Sequence, residues 1–252
     1  MIQFDLTEIL RAWPYDPENV TANIRKTTAP DGRPILQVRE PLGLQQMDYE
    51  GRPDGQRPQD RTTWLEGFEV REAADPQLEL SHEDCLLLMQ EGILFYQRYL
   101  LLYQIEDWEG VARDTARNLR YFDFVKRRAA DPDDSKAIEQ YRPYVVRIHA
   151  IAQSQIHWKA RRYDLAIQTL EEALTKIRML ETIETPVFST EMDKSTQHLR
   201  QLIEEFRKRR PLSRIEVLRR RKEEAVQAED FELAARLRDE IRALELELAE
   251  NK

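Results

Sequence analysis

The residues whose types could support chemistry are few, and their spacing serves it poorly. His149 and His157 stand eight apart, two helical turns, close enough to one face to suggest a metal pair. Gln153 occupies the intervening turn, where a third imidazole or a carboxylate would be needed. "DPDDS" at 131–135 begins like a calcium loop but lacks the glycine at its sixth position and the acid at its twelfth, and is expected to punctuate a helix start. Arg33, Arg39, Arg52, Asp54 and Arg57 gather around a turn-rich stretch and could form an acid and arginine site, or simply an exposed turn region. No phosphate-cradling G-x-x-x-x-G-K-[ST] stretch occurs, and no nucleophile is paired with a base. Cys85 is the single cysteine, which excludes an internal disulfide or a cage of thiolates, and its setting "CLLLM" predicts a small buried hydrophobe. The chain is therefore expected to be no enzyme, with no cofactor and no metal.

One charge feature stands apart. Over residues 207–222, "RKRRPLSRIEVLRRRK", nine basic side chains accompany one acid, with Arg207, Lys208, Arg209 and Arg210 in one block and Arg219, Arg220, Arg221 and Lys222 in another. Sharing a face, they could contact several phosphates or an acidic partner; otherwise they form a solvated patch, and no aromatics are interleaved. The chain as a whole carries 39 Lys and Arg against 47 Asp and Glu, so its mean field gives no reason to expect nucleic-acid or anionic-membrane binding. No stretch approaches the about 20 apolar residues that span a bilayer, and the first ten residues lack a leader's apolar region. The expectation is a cytoplasmic, bacterial, unprocessed protein without a membrane partner.

The elements that would position these groups change character along the chain. Most prolines and glycines lie early, and "NIRKTTAPDGRPILQVREPLG" predicts strand, turn and strand around Pro30-Asp31-Gly32, with "LQQMDYE" as a third short strand. "QRPQD" should leave this meander as exposed loop. From Ser81, which forms a capping box with Asp84, the pattern becomes helical to about Ile105. Further helices are expected at roughly 107–129, 134–160, 162–181 and 190–209, with Pro143 kinking the second of these or marking its true start. The expected domains are 1–80, a small β meander and loop region; 81–210, helical; and 211–252, a helical hairpin.

An aromatic recurs at helix starts, followed one turn later by a small or aliphatic residue: "EDWEGVA", "RRYDLAI" and "EDFELAA". On these residues, and on "HWKARRYDLAIQTLEEAL" above all, residues 82–181 resemble two tetratricopeptide-like hairpins. Trp108 and Tyr163 are 55 positions apart, against about 34 residues in that repeat, so longer helices are implied and a peptide groove is not. The fold class expected is mainly α: a tetratricopeptide-like bundle, a small N-terminal antiparallel β element and a C-terminal hairpin.

In the tail, Ser213 and Glu216 form a second capping signal behind Pro211. Ile215, Leu218 and Ala225 make a seam on the first helix, interrupted by Lys222; Ala234, Leu237, Ile241, Leu244 and Leu248 alternate at three and four on the second, as in a coiled coil. Asp230 is placed as the second helix's N-cap, and Phe231 is expected to reach back across the turn. At these residues "VLRRRKEEAVQAEDFELAARLRDEIRALE" resembles the UVR motif of the UvrB and UvrC excision-repair proteins, with Ala225, Glu229-Asp230-Phe231, Ala234-Ala235 and Arg238-Asp239 close to the family pattern over 213–249. The resemblance implies a hairpin that pairs with another of its kind. It places Phe231, Ala234, Ala235, Leu237, Arg238, Asp239, Ile241 and Leu244 at the partner surface, on a protein partner with a UVR-like hairpin or on a second copy. The alternative it leaves is a DNA-repair accessory whose run 207–222 touches DNA.

Overall fold

The computed structural model describes residues 5–250, with side-chain placement described through residue 246. Its contacts divide the chain into two compact units, Met1–Glu204 and Glu205–Lys252. Mainly α, the described part contains ten helices and one small sheet.

After a short helix α1 (Thr7–Ala12), the strands β1 (Ile24–Thr28), β2 (Pro34–Glu40) and β3 (Gly43–Asp48) form an antiparallel meander in sequence order. Ile24 pairs with Val38 and Leu36 with Met47, so the period of two sets these four apolar side chains on the covered face. The first turn closes where expected: Gly32 takes a φ of +86° and donates to the Ala29 carbonyl at 2.9 Å. A glycine is needed there because a Cβ penalises that conformation.

The segment after the meander is more ordered than its loop-like composition suggested. Helix α2 (Trp64–Ala74) starts at Thr63, whose Oγ1 accepts from the Glu66 backbone N–H at 3.1 Å. Then come α3 (His82–Gln104), α4 (Trp108–Arg128), α5 (Pro132–Glu139), α6 (Arg142–Lys159), α7 (Tyr163–Arg178) and α8 (Pro186–Arg209). The Ser81–Asp84 capping box forms at both ends, each bond 3.2 Å. Asp131 accepts from the Asp133 N–H at 2.9 Å and so starts α5, which makes "DPDDS" a cap. Pro143 is the second residue of α6, where a missing N–H costs nothing, and it marks a true start rather than a kink.

Helix α3 packs on α4, α4 on α6 and α6 on α7, giving two hairpins in succession with α5 between them. Leu65, Phe68, Leu88, Phe124 and Val125 belong to the buried cluster where α2, α3 and α4 meet. Cys85 lies in it, and burial pushes its thiol up to about 12, so it behaves as a hydrophobe rather than a nucleophile. Ala166 on α7 is fully buried. Ala166→Leu is expected to overpack this helix and lower stability by about 1–3 kcal/mol; an unchanged melting temperature would remove the close helix approach on which the tetratricopeptide-like resemblance rests.

Buried charge ties the meander to the helices. Arg98 makes a bidentate pair with Asp114 through Nε and Nη2 at 2.7 and 2.8 Å, while its Nη1 donates to the Asp48 and Gly51 carbonyls at 2.8 and 2.9 Å. Glu91, fully buried, accepts from the Trp64 N–H at 2.7 Å and pairs with Arg117. The Arg98 guanidinium thus satisfies two backbone carbonyls, at the end of β3 and in the loop after it.

Candidate partner-binding hairpin

The second unit is built on α9 (Arg214–Gln227) and α10 (Phe231–Glu250), packed against each other. Ser213 starts α9 with a complete capping box: its Oγ accepts from the Glu216 N–H at 3.2 Å, and the Glu216 carboxylate accepts from the Ser213 N–H at 2.7 Å. Arg210 also donates to Glu216. The Arg210 bond, then those to Ser213, hold the Glu216 carboxyl down at about 2, against an ordinary 4.5. A depressed folded-state value means that this contribution is fully present above about pH 4.5 and is lost as pH falls toward 2. An NMR titration of Glu216 should show the low midpoint, and Glu216→Gln should weaken the hairpin at neutral pH while flattening its acid dependence in that window.

The turn between the helices has a specific form. Glu229 takes a left-handed φ of +57°, the Asp230 N–H donates to the Ala225 carbonyl at 2.9 Å, and the Glu229 N–H to that of Val226 at 3.1 Å. Asp230 then caps α10, its Oδ1 accepting from the Leu233 N–H at 3.0 Å, as the sequence predicted. The same junction occurs twice in the larger unit. Glu106 at +55° precedes Trp108, and Arg161 at +59° precedes Tyr163, each left-handed residue closing one helix two positions before an aromatic opens the next. The recurring motif read from the sequence is therefore one tight helical turn used three times.

What differs is the fate of the aromatic. Trp108 packs edge to face on Tyr103, five residues earlier, with ring centroids 5.1 Å apart, and Tyr163 does the same on Trp158 at 4.8 Å. Trp108 is only 5% exposed. Phe231 has Val226 at that offset instead of a ring, and it stands 68% exposed with Val226 48% exposed. The expected reach back across the turn is not made, because no aromatic waits on the other side.

The predicted partner residues separate into two groups. Leu237 and Ile241 are buried with Leu218 in the hairpin's own seam, flanked by Ile215 and Leu244, and Ala234 and Ala225 are buried beside them. Lys222, which breaks the seam's apolar pattern, is half-buried. Leu248 lies outside the described side chains. Phe231 is exposed, Ala235 half-buried, and Arg238 and Asp239 pair at 2.8 Å on the outside, each two-thirds exposed. So the coiled-coil spacing joins α9 to α10, and Phe231 with Val226, Leu233 and Val217 remains outward.

At least four of the nine basic side chains in the run are paired with acids. Arg214 reaches Glu240 at 3.0 Å and Arg219 reaches Glu245 at 2.7 Å, both across the hairpin, while Arg220 pairs with Glu224 at 3.2 Å along α9. Arg207, Lys208 and Arg209 close α8, where positive charge complements the helix C-terminus, and Arg210 is held by Glu216. Arg221 is exposed. The Arg214 and Arg219 pairs link the two helices, and their acids lie 26 residues further along the chain, out of reach of a local charge pattern.

The other candidate residues lie in the larger unit. Arg33 pairs with Asp31 and Asp48, Arg39 donates to the Trp13 and Gly43 carbonyls at 2.8 and 2.9 Å, Arg52 pairs with Asp54 at 2.9 Å, and Arg57 is exposed. His149 Nδ1 meets the Thr115 hydroxyl at 2.9 Å, and burial lowers its pKa; desolvation and then Arg162 lower that of His157. Among the described residues no cluster of three or more His, Cys, Asp or Glu is placed to hold a metal ion, and no helix is long and apolar enough to cross a membrane.

An antiparallel pair of amphipathic helices with an alternating seam, a capped start and an exposed aromatic at the turn makes up a helical hairpin. Residues 213–247 match the family model of the UvrB/UvrC motif, so this hairpin is a UVR motif. Neither a curated protein nor a solved structure matches the chain.

Proposed function

We propose that the chain is a non-enzymatic, cytoplasmic interaction adaptor whose UVR hairpin pairs with a similar hairpin on a partner or on a second copy. The observation that carries this is Phe231: one turn design occurs three times, and only here does its aromatic lack a ring to pack on. A large exposed apolar group beside Val226 is the kind of anchor that association buries. Size argues the same way. The smaller unit is near the about 40 residues at which a core stops being sufficient by itself, and its seam buries only a handful of aliphatic side chains at about 1.5–3 kcal/mol each. Arg238 and Asp239, exposed at the rim, would favour correct pairing more than affinity.

The alternative is a DNA-repair accessory contacting DNA through residues 207–222. Ion pairs from Arg210, Arg214, Arg219 and Arg220 to nearby acids leave less free charge for phosphates than the sequence run suggests. Salt separates the two. Fluorescence titration of the full chain against duplex DNA is expected to give weak binding at low and moderate salt, while hairpin association measured in parallel changes little. Tight DNA binding that falls steeply with salt and disappears when Arg219, Arg220 and Arg221 become Glu would replace the adaptor function with the DNA one.

A further inference from the structure

Phe231 does not stand alone on its side of the hairpin. On α10 the positions 231, 235, 238 and 242 are separated by four, three and four, so Phe231, Ala235, Arg238 and Arg242 form one stripe. On α9, Arg219, Lys222 and Val226 are separated by three and four and form another. The two stripes lie on the same side, because Arg219, Lys222, Arg238 and Arg242 line one groove of about 490 Å³ between the helices. The apolar tip of Phe231 and Val226, exposed at the turn, therefore continues into a basic shaft.

That groove is lined by four cations and by two acids, Glu223 and Glu245. Glu245 is taken by Arg219 at 2.7 Å, and Arg238 pairs with its chain neighbour Asp239 at 2.8 Å. Among the described residues Lys222 and Arg242 have no ion pair. Lys222 takes a place in the seam that an apolar residue would fill, and its half-buried stem carries a positive charge to this face.

Charge of one sign decides what can cover the face. Two copies related by a twofold axis would present the same patch to each other, net positive against net positive. Like charges set across an interface select against that pairing, whereas an acidic surface is attracted. The ring needs an apolar neighbour and the shaft needs carboxylates, and one amphipathic helix that carries both in succession supplies them.

We propose that this face receives an acidic amphipathic helix of a different protein, its apolar end against Phe231 and Val226 and its carboxylates over Lys222, Arg238 and Arg242. Given the adaptor function above, on which this rests, the hairpin selects a partner over a second copy of its own chain.

The probe is the full chain with that charge reversed. Arg238 and Arg242 are both exposed, so Arg238→Glu with Arg242→Glu changes the face without touching the seam, and helical signal checks the fold. Sedimentation equilibrium compares the wild type alone, the reversed chain alone and an equimolar mixture. The expected result is a mixed dimer with a Kd at least about tenfold below that of wild-type self-association. Phe231→Ala in the wild-type copy should abolish it. The same charge change off the face, Arg220→Glu with Arg236→Glu, should bring no such gain, because these side chains pair along their own helices with Glu224 and Glu232. Self-association of the wild type as tight as the mixed pairing would overturn the choice of partner and leave the adaptor function standing. A gain shared by the Arg220 and Arg236 reversal would overturn it too, since the attraction would not belong to this face. No pairing in any mixture would overturn both.

Discussion

Phe231→Ala is expected to abolish capture of a hairpin partner, or of a second copy, while the larger unit keeps its helical signal and protease resistance. A central aromatic anchor is worth about 2 kcal/mol or more on truncation, a factor of roughly thirty in Kd. The hairpin should itself survive, because the ring lies outside the seam of Leu218, Leu237 and Ile241. Leu237→Ala makes the contrast: it removes buried seam volume and should melt the hairpin, with association lost as a consequence. If Phe231→Ala unfolds the chain and has no separate effect on association, the ring is structural and the adaptor function loses its support.

Asp114→Ala should produce the largest loss of stability in the larger unit, about 3–5 kcal/mol in urea denaturation. Arg98 is 1% exposed and would be left with its charge buried and its bidentate partner gone. Because the same guanidinium holds the Asp48 and Gly51 carbonyls, the loop after β3 should loosen as well, seen as faster amide exchange around residues 48–55. Replacing the pair together, Arg98→Met with Asp114→Leu, removes the buried charge but leaves the Asp48 and Gly51 carbonyls without their donor, so it should recover only part of that loss. A loss below about 1 kcal/mol for Asp114→Ala would mean that the pair does not hold the meander in place.

The elements with local signals were legible in the sequence. Ser81 with Asp84 and Ser213 with Glu216 announced two helix starts, and Pro30-Asp31-Gly32 announced the first hairpin turn, because each device acts within four residues. Helix α2 carried a similar signal in Thr63 and Glu66, but only Leu65 and Phe68 of its apolar residues reach the core, so no periodic face marked it. Residues 134–160 read as one helix because their apolar pattern runs on across the break between Glu139 and Arg142.

The candidate site was legible in composition and less so in geometry. Alternation at three and four identified a coiled-coil seam, yet spacing cannot say whether a seam faces its own chain or another; the fold spends Leu237 and Ile241 internally and leaves Phe231 outward. Exposure of that ring depends on Val226 standing where Tyr103 and Trp158 stand in the other two junctions, a comparison that needs the turns themselves.

In the proposed adaptor role the exposed ring at the UVR turn is an association surface. Its most direct test is fluorine NMR of the full chain labelled at its eight phenylalanines, with the Phe231 signal assigned by its loss in Phe231→Leu, followed across a concentration series and on addition of a UVR-bearing partner. This resonance alone is expected to shift and to lose its solvent isotope effect as the complex forms, with Phe68, Phe95 and Phe124 unmoved in their core. A complex that forms while the Phe231 resonance stays solvent-exposed, or a ring that is already protected in the dilute monomer, would contradict it.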